Sequence, residues 1–298
     1  YLIVTALFGF TGSEQSGNGL NEALFSVFEQ KILPIKYPKV VFCDASVIST
    51  IIERVGEDSL VSTQLVGITN EELYSLIGGY DRIQSVIEEI AKESDQSLSK
   101  YTAQPLHAVV ELAKIPLLLK AAQESKFISS ITHALWVDTE HPCIQPGYFS
   151  APTDFLTRIH TLNTFLMIFY KTSTLDALDQ RHSGIEFRVE KADELSENQE
   201  MYYQIRSDYF GGPIIEIEIL SWFYLSTLRQ TLDSGSLLTL ESLLYLVKKK
   251  LEPIIHAFDE QNACLNQPDG AHTCDFTLQT PRNDTEAHCA LFKWSSTL

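Results

Sequence analysis

The residues best suited to chemistry lie in one stretch, Ala134-Leu135-Trp136-Val137-Asp138-Thr139-Glu140-His141-Pro142. A short apolar run ends in two acids at i and i+2, then a histidine and a proline, which reads as a buried strand delivering carboxylates into a loop. Ligands of open α/β sheets bind just beyond the carboxyl ends of strands. Acids placed there can hold a hard divalent cation through oxygen ligands, and that cation can hold a diphosphate. The same residues also admit a plainer account, in which Asp138 caps the next turn and Glu140 is solvated. Short acidic motifs are common, so the stretch by itself does not choose between them.

Other chemistries find less support. There is no Gly-x-Ser-x-Gly elbow for a serine hydrolase. None of the five cysteines carries a recognisable nucleophile context, and their odd count and wide spacing argue against a disulfide framework or zinc knuckle. The eight histidines contain no His-x-x-x-His pair; His141, beside the acids, is the most interesting of them, with His256 a distant second. If a carboxylate base is needed, Asp208, Glu241 and Asp259 are candidates. Each has a structural alternative: a turn residue, a first-turn helix acid and a helix-end surface charge.

Behind the acidic stretch must stand the elements that place it. Tyr1 to Phe8 is a continuous apolar, β-branched run, the sign of a strand buried on both faces of a parallel sheet. A glycine-bearing loop follows that matches neither a P-loop nor the dinucleotide fingerprint. A helix is expected over Leu20 to Leu33, stopped by Pro34, then a strand at Lys39 to Asp44, a helix at Val47 to Val55 and a strand at Leu60 to Val66. This alternation is the βαβ signature of a doubly wound sheet. Asn70 is the expected cap of a helical stretch running to Lys92, interrupted at Gly78-Gly79. Pro105 to Lys126 reads as a helix kinked or broken at Pro116, lying beside the acidic loop. On spacing alone Lys114 reads as a solvated surface charge.

Further strands are expected at Thr132 to Asp138, Thr161 to Tyr170, Gly184 to Val189 and Tyr202 to Phe210, with Gly211-Gly212 as a turn after the last of these. Pro213 to Asp233 alternates like a strand at its start but continues a helical stripe, and is assigned as helix. Gly235 ends it, Thr239 caps a helix over Leu240 to Lys250, and Pro253 opens a last helix ending near Phe258. Residues 1–262 thus form one α/β domain with a helical C-terminal part, and 263–298 a polar, loosely ordered tail.

The chain of 298 residues carries 22 basic and 39 acidic side chains, a formal charge of −17. Such a surface repels phosphate backbones and anionic lipid, so nucleic acid is not an expected partner, and no apolar run is long enough to span a membrane. An anionic nucleotide substrate would need a metal ion and local cations to overcome this field. The chain begins at Tyr1 rather than Met, which leaves room for a removed upstream segment. Cys264, Cys274, Cys289 and the sequon Asn283-Asp284-Thr285 point to a secretory lumen; a bacterial chain would instead be cytoplasmic.

Taken together, Ile3-Val4-Thr5-Ala6-Leu7-Phe8, Val40-Val41-Phe42-Cys43-Asp44, Glu111-Leu112-Ala113-Lys114-Ile115, Trp136-Val137-Asp138, Tyr209-Phe210-Gly211-Gly212 and Glu241 resemble, in order, motifs of the HtrL/YibB-like family of glycosyltransferases. The resemblance covers roughly residues 1 to 260. It implies a GT-A fold, a Rossmann-like and mostly parallel sheet flanked by helices, and transfer of a sugar from a nucleotide-diphosphate donor, UDP-sugar first, to a hydroxyl of a glycan or other acceptor. Carried over, Asp138 and Glu140 would ligate Mn²⁺ or Mg²⁺; His256, from the histidine survey, is a further candidate ligand. Thr5, Phe8, Asp44 and Trp136 would border the nucleotide, Lys114 would approach the phosphates, and Gly211 and Gly212 the sugar or acceptor. Glu241 or Asp208 would serve as base. The alternatives are an inactive binding protein on the same fold and a metal-dependent nucleotide-sugar hydrolase.

Overall fold

The computed structural model describes residues 1–8, 22–93, 105–139, 165–172, 202–205, 207, 209–251, 255–259, 265–266 and 272–273. The first strand, β1 (Leu2–Leu7), is buried along its whole length because it is paired in parallel on both sides, with β2 (Lys39–Asp44) and with β4 (His133–Val137). Beyond β2 lies β3 (Thr63–Ile68), also parallel. On the other side of β4 come β7 (Tyr209–Pro213), β5 (Phe165–Thr172) and β6 (Tyr202–Ile205), giving the order β3-β2-β1-β4-β7-β5-β6, with β8 (Ile255–Asp259) also paired to β5. The β4–β7, β7–β5 and β5–β6 pairings are antiparallel and β5–β8 is parallel, so all but β6 and β7 run the same way. This is a mostly parallel α/β sheet.

Side chains alternate across this sheet, and each face carries its own core. Leu2, Val4, Ala6, Phe8, Ala134 and Trp136 face the helices α3 (Asn70–Leu76), α4 (Tyr80–Glu93), α5 (Pro105–Glu124), α6 (Ile214–Asp233) and α7 (Leu240–Leu251). Ile3, Leu7, Val41, Cys43, Leu135 and Val137 face the smaller layer of α1 (Glu22–Val27), the π-helical turn Phe28–Ile32 that continues it, and α2 (Ile48–Val55). The large layer is built on α5, whose residues from Ala108 to Leu118 are all buried.

Several expectations are corrected. The third strand starts at Thr63 rather than Leu60, because Glu57–Leu60 form a 3₁₀ turn and Val61 is 76% exposed. Thr69, not Asn70, caps α3: its hydroxyl accepts from Glu72 N while Glu72 accepts from Thr69 N, a reciprocal capping box. Pro116 lies inside an unbroken α5. The stretch Tyr202 to Phe210 divides into β6 and β7, and Gly211-Gly212 lie within β7 rather than in a turn. The helix expected after Pro253 is strand β8, because parallel pairing to β5 (Phe165↔Ile255 to Phe169↔Asp259) overrides the local pattern. The contested segment after Pro213 is helix: Ile217, Leu220, Tyr224 and Leu228 form its buried stripe, and Ile215 is exposed. Thr239 caps α7 through Ser242 N at 3.2 Å. Residues 94–100, 173–182 and 184–189 lie outside the described residues, as do Cys143, Cys264, Cys274 and Cys289 and all of the tail except Leu265–Asn266 and His272–Thr273, which pair as two short strands.

Candidate functional site

The chain proceeds from β1 to β2 and β3 on one side, and β4 returns to the other side of β1. The crevice at the carboxyl ends of β1 and β4 is therefore the topological switch point of the parallel part of the sheet, where ligands of doubly wound sheets bind. An open cleft lies there. Ala6 and Phe8 line it from the end of β1, and Trp136, Asp138 and Thr139 from the end of β4. His107, Val110, Glu111 and Lys114 line it from α5, and their spacing of three and four residues puts them on one face of that helix.

Each wall has a local cause. Period-two alternation sends Trp136 and Asp138 to the α5 side and Val137 to the other. The chain after β4 is tied back to β1 by Thr139 Oγ1, which donates to the Ala6 carbonyl at 3.2 Å. Trp136 is fully buried and stacks on Phe210, its cross-strand partner on β7, with ring centroids 6.2 Å apart and planes 7° from parallel. It forms the cleft floor.

Across that floor reaches Lys114, 2% exposed, its Nζ 5.9 Å from the Trp136 ring. The ammonium lies 2.5 Å from Asp138 Oδ2 and 2.8 Å from Glu111 Oε1, and also donates to the Ser207 carbonyl at 3.3 Å. Burial lowers its pKa, but the Asp138 and Glu111 charges and hydrogen bonds more than reverse this, so the group is held well above its ordinary value and stays charged. Glu111 is also 4.0 Å from His107 Nε2. With one lysine between two carboxylates, the group carries one net negative charge beside the cleft. Behind it the Tyr224 hydroxyl donates to the Leu112 carbonyl at 2.9 Å. Its pKa is pushed well up by burial, then by the Glu111 and Glu241 charges.

Of the residues singled out in the sequence, Phe8, Lys114, Trp136 and Asp138 meet at this cleft. The surface position expected for Lys114 from spacing is wrong: α5 is buried there, and a lysine in such a stretch must be paired. Thr5 alternates with Ile3 and Leu7 onto the opposite sheet face, where it is fully buried. Asp44 stands at the same sheet edge as Phe8, and its carboxylate accepts from Ser46 N at 2.8 Å to cap the turn after β2. Gly211 and Gly212 pair with Leu135 and Ala134, towards the end of β4 away from Asp138. A Cβ on Gly211 would lie 2.2 Å from the Ala134 carbonyl oxygen, so close strand approach demands glycine there. Glu241 is buried in the first turn of α7, away from the cleft lining, and His256 sits on β8 opposite Leu166. Glu140, His141 and Asp208 lie outside the described residues.

The sequence reading did not single out His107, and took Glu111, Thr139 and Phe210 only as parts of motifs. The signal for the helix pair was present, since charges at 111 and 114 interrupt an otherwise apolar stretch at helical neighbour spacing. Phe210 gave no local signal, because its role comes from strand pairing.

No family model and no curated protein matches the sequence. Among solved structures the chain is similar to core-mannan synthase A (CmsA/Ktr4) from Aspergillus fumigatus in its Mn/GDP form, with a TM-score of 0.52 and 8% sequence identity over 86% of this chain and 72% of that one. The fold is GT-A-like. At this identity the likeness resides in the backbone, and the GT-A-like sheet and its flanking helices are what the two proteins share.

Among the described residues no three His, Cys, Asp or Glu side chains gather into a metal cage. A cation of the Mg²⁺ type, however, is commonly bound by one or two carboxylates together with substrate phosphates. Asp138, its side chain 21% exposed, is a carboxylate on the cleft that would suit such a cation. Among the described residues no helix is long and apolar enough to cross a membrane.

Proposed function

We propose that this chain is a glycosyltransferase that moves a sugar from a nucleotide-diphosphate donor to a hydroxyl of a glycan or other acceptor. The observation that carries the reading is the position of Asp138: a partly exposed carboxylate at the carboxyl end of β4, on the switch-point cleft of a GT-A-like sheet. The ordered motifs shared with HtrL/YibB-like transferases support it, as does the Mn/GDP form of the similar mannan synthase.

On this reading Asp138, with Glu140 next but one in sequence, holds Mn²⁺ or Mg²⁺. The metal, when bound, offsets charge on the leaving diphosphate. Phe8, Leu24 and Val110 supply an apolar wall for the nucleoside, and Lys114 sets the charge of the cleft from below. Of the two proposed bases, Asp208 follows in sequence Ser207, whose carbonyl accepts from Lys114; Glu241 is buried near Tyr224. His256, on β8, is not retained as a ligand in this reading. One observation favours a second reading, an inactive binding protein on the same fold: Asp138 is already engaged by Lys114.

Thermal melts with UDP and GDP, with and without Mn²⁺, separate the two. A bound ligand at one hundred times its Kd stabilises the native state by about 2.7 kcal/mol. The transferase reading expects the nucleotides to raise Tm chiefly when Mn²⁺ is present, and Asp138→Asn to abolish that gain while leaving the fold intact. Calorimetry showing the same Mn²⁺-supported affinity in Asp138→Asn would sink the assignment.

A further inference from the structure

The buried group beneath the cleft holds a carboxylate oxygen that the lysine's hydrogen bonds do not use. An ammonium has three N–H donors, and Lys114 faces three acceptors: Asp138 Oδ2, Glu111 Oε1 and the Ser207 carbonyl. Glu111 Oε2 is buried and has no hydrogen-bond partner among the described residues. Leaving a buried carboxylate oxygen unpaired is costly, so its presence beside a paired lysine calls for a reason.

We propose that Glu111 is a positioning residue that receives the Lys114 ammonium when Asp138 takes up a divalent cation. The inference rests on the reading of Asp138 as a metal ligand. Among the described residues, Lys114 is a cation paired with Asp138. A divalent ion on the same carboxylate repels the ammonium, which at 2% exposure cannot retreat into water. Glu111 lies one turn earlier on the same helix face, already holds Nζ through Oε1, and offers Oε2 for the N–H released from Asp138. The lysine then stays paired in both states, and the exchange requires no buried charge to be stranded. Asp138 is thereby occupied by an internal cation when the cleft is empty and released when a metal-bound diphosphate arrives.

The test is the factor by which Mn²⁺ tightens UDP binding, measured by calorimetry on the full chain with GDP as a second probe. In Glu111→Gln the ammonium has lost its alternative acceptor and stays on Asp138, so this factor is expected to fall at least tenfold. Metal-free UDP affinity holds or rises, because a negative charge is gone; a merely structural defect would lower both. In the double variant Glu111→Gln/Lys114→Gln no ammonium competes for Asp138, and the factor returns to the wild-type value or exceeds it. An unchanged factor in Glu111→Gln, or a double variant below wild type, overturns the exchange. If circular dichroism shows Glu111→Gln unfolded, the double variant decides by the same criterion. A wild-type protein in which Mn²⁺ does not tighten UDP binding removes the functional reading itself, and the exchange with it. Wild-type coupling with an unaltered Glu111→Gln removes only the exchange.

Discussion

Lys114→Met keeps the apolar stem of the side chain and deletes its charge, leaving Glu111, with a side chain 9% exposed, without its cation. Breaking a buried pair from one side costs about 3–5 kcal/mol. Proton uptake sets a ceiling on that cost. Protonating an ordinary glutamic acid, with a pKa of about 4.3, costs about 3.7 kcal/mol at pH 7 and about 1 kcal/mol at pH 5. A stranded carboxylate takes the proton whenever staying charged is dearer. Asp138 is 21% exposed and retains solvent, so it adds little. The expected loss of stability is therefore about 3–4 kcal/mol at pH 7, shrinking to about 1 kcal/mol at pH 5. The sign follows from linkage: the folded variant holds a proton more tightly than its unfolded chain, so its stability falls as pH rises through this window. Lys114 in the native protein contributes no such slope. Burial lowers its pKa, but Asp138 and Glu111 raise it further than burial lowers it, so its contribution is complete below the unfolded value of about 10.4. Urea unfolding followed by circular dichroism at pH 5, 6 and 7, wild type against variant, measures the difference directly. A gap that is the same at pH 5 and pH 7, or below about 1 kcal/mol at pH 7, would refute a buried pair at this position.

Two further outcomes are expected. Gly211→Ala places a methyl 2.2 Å from the Ala134 carbonyl oxygen and 2.7 Å from Leu135 Cα, both backbone atoms of a central strand that cannot turn aside. The loss should reach about 3 kcal/mol or more in urea unfolding, and a loss under about 1 kcal/mol would show that the strands can part. The Cys43 thiol is fully buried and pushed up to about 12, first by burial and then by Asp44. Iodoacetamide at pH 8 should leave the Cys43 peptide unmodified in mass spectra of native protein and label it once urea is added; equal labelling in both would contradict its burial.

What the sequence makes legible follows from how local each cause is. β1 and β2 announce themselves because a strand covered on both faces must be apolar throughout, and both appear where the pattern puts them. Asp138 is legible for a related reason: a charge directly after such a run stands at a strand end. Strand β8 is not, because its partner β5 lies about ninety residues earlier, and nothing around Pro253 reports that pairing. Gly211-Gly212 looked like a turn, since two glycines near a proline usually make one; their requirement is set by the backbone of β4. Lys114 failed for want of context, as helical spacing places a residue on a face without telling what covers that face. How deeply Glu111 and Lys114 lie follows from the packing of α6 over α5, which is distant in sequence.

The antiparallel strand β7 also dictates an order of assembly. Strand β4 and α5 are complete by residue 137, yet the floor residue Trp136 gains its stacking partner, and Lys114 its third acceptor, only when the chain near Ser207 to Phe210 arrives. A growing chain that stops short of β7 presents β4 as an open edge, apolar on both faces, the kind of edge that pairs with other chains. Closing a loop of some seventy residues is entropically slow to reward, so the site is finished late in folding, and the same closure both seals the sheet and completes the cleft.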